Sequence, residues 1–274
     1  QLAVEIITDA GPSNIWIYDL SGKSEIRRLT QVGSNTRPIW NPDGRRVAFG
    51  SNRDGAWGVY EQRADDGSAV PTRLTTARDK HEHYPDSWSP DGRTLVFVES
   101  VGPNNTDLWT LSDGKLAVLA AEPLNQFGSA FSPEGKWLLY TDVTTPFGLR
   151  AKPALSTGVS QQITQDGEAW PIWSSAGEVF FRLRRDGDKP PQLRAIEVTT
   201  TGGITYGNPR DLSLPNGTLM YQGYRDYDAT RNGERFVIIL AEKRKTQAVA
   251  ASTPLQIDVV LNWFEELRKR TEGP

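Results

Sequence analysis

The chain of 274 residues has no cysteine, one methionine and only two histidines. Without cysteine there is no disulfide and no thiolate metal site, and the redox compartment stays open. No run of about 18 apolar residues occurs, so no segment reads as a membrane-spanning helix. No charged start followed by an apolar stretch reads as a signal peptide. Charge of one sign is scarce too: 31 basic and 34 acidic residues leave a formal charge of −3. A nucleic-acid surface needs a basic stripe, and none is present. The short basic runs at 182–185 and 243–245 stand beside Asp186 and Glu242 and read as solvated faces.

Catalytic motifs are equally sparse. There is no G-x-S-x-G elbow and no kinase glycine-rich loop, lysine strand or catalytic loop. Ser129 falls on an expected inner strand without a suitable partner. Gly22-Lys23-Ser24 imitates the end of a P-loop, but Ile17 stands where the first glycine belongs. On these grounds the chain is expected to be non-catalytic.

What is abundant is turn formers and aromatics: 25 Gly, 18 Pro, and nine Trp, eight Tyr and nine Phe. They are organised by a repeat. Trp40 precedes Asn41-Pro42-Asp43-Gly44, Trp88 precedes Ser89-Pro90-Asp91-Gly92, and Phe131 precedes Ser132-Pro133-Glu134-Gly135. Weaker copies end at Gly177 and Gly233, so successive glycines are 48, 43, 42 and 56 residues apart. That period suits four strands per unit. Proline presets φ, the aspartate side chain bonds amides ahead of it, and glycine accepts positive φ, so each copy joins two antiparallel strands tightly.

Each turn is followed by an apolar run, as in RVAFG at 46–50, TLVFV at 94–98 and WLLYT at 137–141. After a loop comes an alternating strand, as in NIWIYDL at 14–20 or WGVYEQR at 57–63. Short outer strands recur as Arg28-Leu29-Thr30, Arg73-Leu74-Thr75 and Gln162-Ile163-Thr164. One such unit cannot bury both faces alone, so neighbours must stack, and a closed ring satisfies all of them.

These motifs resemble the TolB-like β-propeller repeat, whose SNRDG-like loop is matched by residues 51–55. The resemblance extends to the C-terminal propellers of bacterial Ser/Thr protein kinases, most specifically in VVLNWFEELRKR at 259–270. It implies an all-β, six-bladed propeller of four-stranded antiparallel blades, forming a single domain over 1–274. The expected blades are 2–30, 36–75, 83–119, 126–164, 168–213 and 224–263, with a short helix at 264–270. The first blade is expected to lack its inner strand. Its open edge is expected to be closed by the strand at 255–263 or to pair between two chains, giving a monomer or an edge-paired dimer. The family likeness points to a periplasmic or extracytoplasmic location.

Inner strands begin at the mouth of the central channel, so the residues there are the candidate contacts. They are Arg37, His83, Tyr84, Phe127, Glu168, Trp170, Arg225 and Asp226, a mixture of arginine, aromatics and acids suited to recognition. The expected function is recognition of a protein, a peptide or a small molecule at this face, with no nucleic-acid partner. No cofactor is required. One alternative is a metal-dependent lyase or hydrolase, because His81 and His83 with Asp79 or Asp86 carry zinc-type donors. Another is a structural gate on a larger protein.

Overall fold

A computed structural model describes residues 1–8, 11–21, 25–102, 104–156, 158–183, 192–212, 214 and 225–239. The strand expected at 255–263, the helix at 264–270, the basic run at 243–245 and Gly22-Lys23-Ser24 lie outside the described residues.

The described residues form six antiparallel sheets and no helix. The first contains β1 (Leu2–Thr8), β2 (Gly11–Tyr18) and β3 (Arg27–Arg28). The second runs β4 (Asn35–Trp40), β5 (Arg46–Ser51), β6 (Gly58–Arg63), β7 (Thr72–Arg73). The third runs β8 (Glu82–Trp88), β9 (Thr94–Ser100), β10 (Thr106–Ser112), β11 (Lys115–Ala120). The fourth runs β12 (Gln126–Phe131), β13 (Trp137–Asp142), β14 (Gly148–Pro153), β15 (Gln161–Gln162). In the fifth, β16 (Glu168–Trp173), β17 (Glu178–Leu183) and β18 (Gln192–Thr199) are followed by β19 (Thr205–Tyr206) and β20 (Arg210–Leu212), both paired with β18. The last pairs β21 (Tyr227–Ala229) with β22 (Phe236–Ile238). Among the described residues β1 pairs with β2 alone.

The repeated motifs have local causes. In the second sheet Gly44 N–H donates to Asn41 O at 2.9 Å with φ +67°, and Asp43 Oδ1 accepts from the amides of Arg45 and Arg46. The Arg-Leu-Thr strand clips on in a fixed way. Thr30, Thr75 and Thr164 Oγ1 accept from Ile15, Val59 and Leu149 N–H at 2.9, 3.0 and 3.0 Å. Arg28 and Arg73 Nε donate to the carbonyls of Thr30 and Thr75. Strands of two residues are thereby held where backbone pairing alone would be slight.

The core lies between sheets. Ile15, Ile17, Phe49 and Tyr60 join the first and second sheets; Ala48, Val59, Leu95 and Phe97 join the second and third. Val98, Leu108 and Tyr140, then Leu139, Phe181 and Ile196, then Phe180, Tyr227 and Phe236 continue the series. Trp40, Trp88, Phe131 and Trp173 each pack into one of these interfaces. The alternating strands therefore bury one residue set toward each neighbour, which is why period-two patterning is so clear.

Candidate functional site at the channel mouth

The inner strands β4, β8, β12 and β16 stand next to one another. Each carries at its first or second position a polar residue that is almost completely buried: Asn35, His83, Gln126 and Glu168. These four side chains turn back to hold the loop that enters the strand. Asn35 Nδ2 donates to Gly33 O at 2.9 Å, and Gln126 Nε2 donates to Leu124 O at 2.7 Å. Glu168 Oε2 accepts from Asp166 N–H at 2.7 Å, while Oε1 accepts from Arg194 Nη1 at 3.1 Å. In the third sheet the same tie runs through a carboxylate. His83 Nε2 lies 3.4 Å and His81 Nδ1 3.0 Å from Glu99 Oε1. The point on which both imidazoles converge is thus occupied by Glu99, which was not among the donors expected from sequence. Among the described residues, no group of three His, Cys, Asp or Glu is placed to hold a metal ion. Burial pushes the His83 pKa below its ordinary value, against the pull of Glu99.

Each inner strand then carries a bulge, where the register shifts between Thr36 and Ile39, Pro85 and Ser87, Phe127 and Ala130, and Ala169 and Ile172. A bulge frees amides from the ladder, and buried amides need partners. The preceding sheet supplies them. Glu5 Oε2 accepts from Thr36 Oγ1 at 2.5 Å and from Arg37 N–H at 3.3 Å. Asp86 accepts from Gly128 N–H at 3.1 Å and from Ser129 N–H at 2.5 Å. Thr141 Oγ1 accepts from Trp170 N–H at 3.1 Å. At the bulge Arg37, Gly128 and Trp170 have φ of +51°, +61° and +61°. Glycine takes this conformation freely, whereas arginine and tryptophan hold it at a cost of order 1–3 kcal/mol.

Two clusters result. The Arg37 guanidinium lies 4.2 Å from the centre of the Tyr84 ring, whose other neighbour is Trp57 at 5.4 Å; Tyr84 Oη donates to Glu82 at 2.7 Å. In the second cluster Phe127 and Trp170 pack with ring centres 4.6 Å apart. Asp86 lies between them in character. It is mostly buried, and burial of its carboxyl is the largest influence and raises its pKa, opposed by the Ser129 bonds and by the charges of Arg225 and Arg37. Asp226 is buried and paired with Arg182 at 3.4 Å, and Arg225 stands 4.0 Å from Asp228. Of the expected contacts, Arg37, Tyr84 and Arg225 are partly exposed, while His83, Glu168 and Asp226 are buried. Trp57, Glu5 and the structural part of Asp86 were missed. The Pro-Asp pair at Pro85-Asp86, aligned with the bulges of other repeats, was the available signal.

A series of antiparallel sheets, three of them four-stranded, packed face to face with their inner strands side by side, is the architecture of a β-propeller. The model of the TolB β-propeller domain (PD40) matches residues 1–177, and the chain belongs to that family. Over 58 residues it is 40% identical to the Tol-Pal system protein TolB of Bordetella pertussis, covering 21% of this chain and 13% of that protein. Over 183 residues it is 25% identical to the uncharacterized peptidase YuxL of Bacillus subtilis, covering 53% of this chain and 27% of the peptidase. The chain therefore spans about a quarter or less of the length of these curated relatives. The crystal structure of TolB from Acinetobacter baumannii superposes with a TM-score of 0.66 at 17% identity, over 88% of this chain and 58% of that one.

The expectation that the chain is non-catalytic is corrected by these comparisons. A curated relative is a peptidase, and solved structures sharing the fold include a puromycin-hydrolyzing peptidase of Mycobacterium tuberculosis (TM-score 0.54) and a periplasmic gluconolactonase of Pseudomonas aeruginosa (TM-score 0.53). The missing catalytic motifs describe the repeat, which the fold shares with enzymes and non-enzymes alike.

Proposed function

We propose that the channel mouth is a recognition surface for a protein or peptide segment, contacted by Arg37, Trp57 and Tyr84 with Asp86 and Arg225 beside them. The observation that carries this reading is Arg37. It holds left-handed backbone at the position where the fourth sheet has Gly128, and its guanidinium carbon lies 4.2 Å from the centre of the Tyr84 ring. A bulky residue kept in a costly conformation at a site mouth is a mark of function, and Arg, Tyr and Trp are the side chains that dominate binding hot spots. The Phe127–Trp170 pair supplies a second apolar contact. A displayed library of random peptides selected on the chain is expected to yield binders that lose at least tenfold in affinity against Arg37→Ala and Tyr84→Ala. Binders that retain full affinity for both variants would place recognition elsewhere.

A second reading rests on the match to a peptidase of which this chain covers 27%. In it the propeller screens or presents substrate to a catalytic part of a longer protein, and the same mouth is the point of entry. Substitutions at Arg37 and Tyr84 in such a protein are then expected to raise KM for long peptides and leave short substrates unaffected.

A further inference from the structure

The outer edges of the sheets are not alike. In the first, second and fourth sheets the outermost strand is two residues long, and in two of them it is basic or mixed: Arg27-Arg28, Thr72-Arg73, and then Gln161-Gln162. Short and charged strands are the usual defence of an open sheet edge against pairing with another chain. The third sheet departs from this. Its β10 turns directly into β11 through Asp113-Gly114, both at positive φ (+48° and +73°), a two-residue hairpin of the kind that twists with its strands. As a result β11 runs for six residues, Lys115–Ala120, at the end of its sheet with no strand beyond it among the described residues. Lys115, Leu116, Ala117 and Val118 are all exposed, Leu116 by 47% and Val118 by 46%, and Lys115 is the sole charge on the strand.

Hairpin parity says which backbone groups face outward. Ser112 and Lys115 close the turn as a hydrogen-bonded pair, so Thr110 and Ala117 are the next such pair and Leu116 and Val118 lie between. The N–H and C=O of Leu116 and Val118 therefore point away from β10, toward the open edge. We propose that this edge pairs antiparallel with β11 of a second copy of the chain about a two-fold axis through Ala117.

The parity makes this pairing self-consistent. With Ala117 opposite its own copy, Leu116 of one chain faces Val118 of the other, and both are residues whose outward groups are available. Two symmetric pairs of N–H···O=C bonds form. The side chains brought together are Leu116 and Val118, which are exposed and apolar, and the smallest side chain, Ala117, falls on the closest approach. Lys115 meets Leu119 of the other copy, so the two lysines lie at opposite ends instead of facing each other. A shift by one residue would set outward groups against inward ones and lose the bonds. A foreign strand has no such constraint, and the fit of the sequence to its own reversal is the reason to choose a second copy. The contact is short, well below the size of a permanent interface, so the association is weak and depends on concentration.

The absence of cysteine from the chain gives a direct test, since any single cysteine introduced has only its copy to pair with. Ala117→Cys under mild oxidation is expected to form a disulfide-linked dimer at least tenfold faster than Val70→Cys, a control whose side chain is 87% exposed outside this edge. Sedimentation of the unmodified chain over a hundredfold concentration range is expected to show monomer–dimer exchange, weakened at least tenfold by Val118→Lys. Circular dichroism and thermal unfolding of each variant matching the unmodified chain exclude misfolding as the cause. Equal cross-linking rates for the two cysteine variants, a chain monomeric throughout, or a dimer indifferent to Val118→Lys would each overturn the proposal. So would a monomeric chain whose β11 binds only foreign strands.

Discussion

At the scale of single residues the inner strands show how one position is used in different ways. Asn35, His83, Gln126 and Glu168 occupy the same place in their repeats and are all buried, and His83 is the imidazole among them. Its pKa is lowered by burial from an ordinary 6.5. Between the lowered folded value and 6.5 the unfolded chain binds the proton and the folded chain does not, so stability rises with pH across that window. His83 therefore contributes fully above pH 6.5, and the contribution is lost as pH falls through the folded pKa. Glu99, His81 and Arg73 are the charged or titrating groups around it that act with burial to set where this happens. His83→Gln, which copies Gln126, is expected to flatten the fall in urea midpoint between pH 7 and 5. An unchanged slope would assign the acid sensitivity to other groups. Asp86 presents the opposite case. Its carboxylate satisfies the bulge amides of Gly128 and Ser129, so Asp86→Ala leaves two amides without their acceptor. At roughly 1–3 kcal/mol for each unsatisfied buried group, a loss of about 2–6 kcal/mol is expected in chemical denaturation.

At the scale of elements, the outer strands test how much a side chain adds to a weak ladder. β7 has only two residues, and Thr75 Oγ1 joins it to the Val59 amide. Thr75→Val keeps the shape and removes the acceptor, and is expected to cost about 1–2 kcal/mol in urea unfolding. A neutral result would mean that water replaces the hydroxyl. This element also shows what is legible from sequence. The Arg-Leu-Thr recurrence and the Pro-Asp-Gly turns were visible because each is a local device, complete within a few residues. The bulges were not, because positive φ at Arg37 and Trp170 contradicts the preference of those residues and is imposed by Glu5 and Thr141 on the preceding sheet. Likewise the histidines of the third sheet read as metal donors in sequence, since nothing nearby in the chain reveals that Glu99, 16 residues on, stands between them. The start of each inner strand could be located by counting back from the turns. Which of its side chains face outward could not, because a bulge reverses the alternation on which such counting rests.

At the scale of the whole molecule, stability is built from interfaces between neighbouring sheets and from little that reaches further. Ile15 sits between the first and second sheets and Ile196 between the fourth and fifth, both essentially fully buried. In such an architecture stability is approximately a sum of unit and nearest-neighbour contributions. Ile15→Val and Ile196→Val each remove one methylene from a packed interface and are expected to cost about 0.5–1.5 kcal/mol. Because no side chain is shared between the two interfaces, the double variant is expected to show the sum within about 0.5 kcal/mol. Ile163 belongs to the same interface as Ile196. The pair Ile163→Val with Ile196→Val removes two methylenes from one packed layer, and its cost is expected to depart from the sum. Equal additivity in both double variants would show that the layers do not repack locally. Strong coupling between Ile15 and Ile196 would show instead that strain travels along the series of sheets, and that the sheets cannot be treated as neighbours alone.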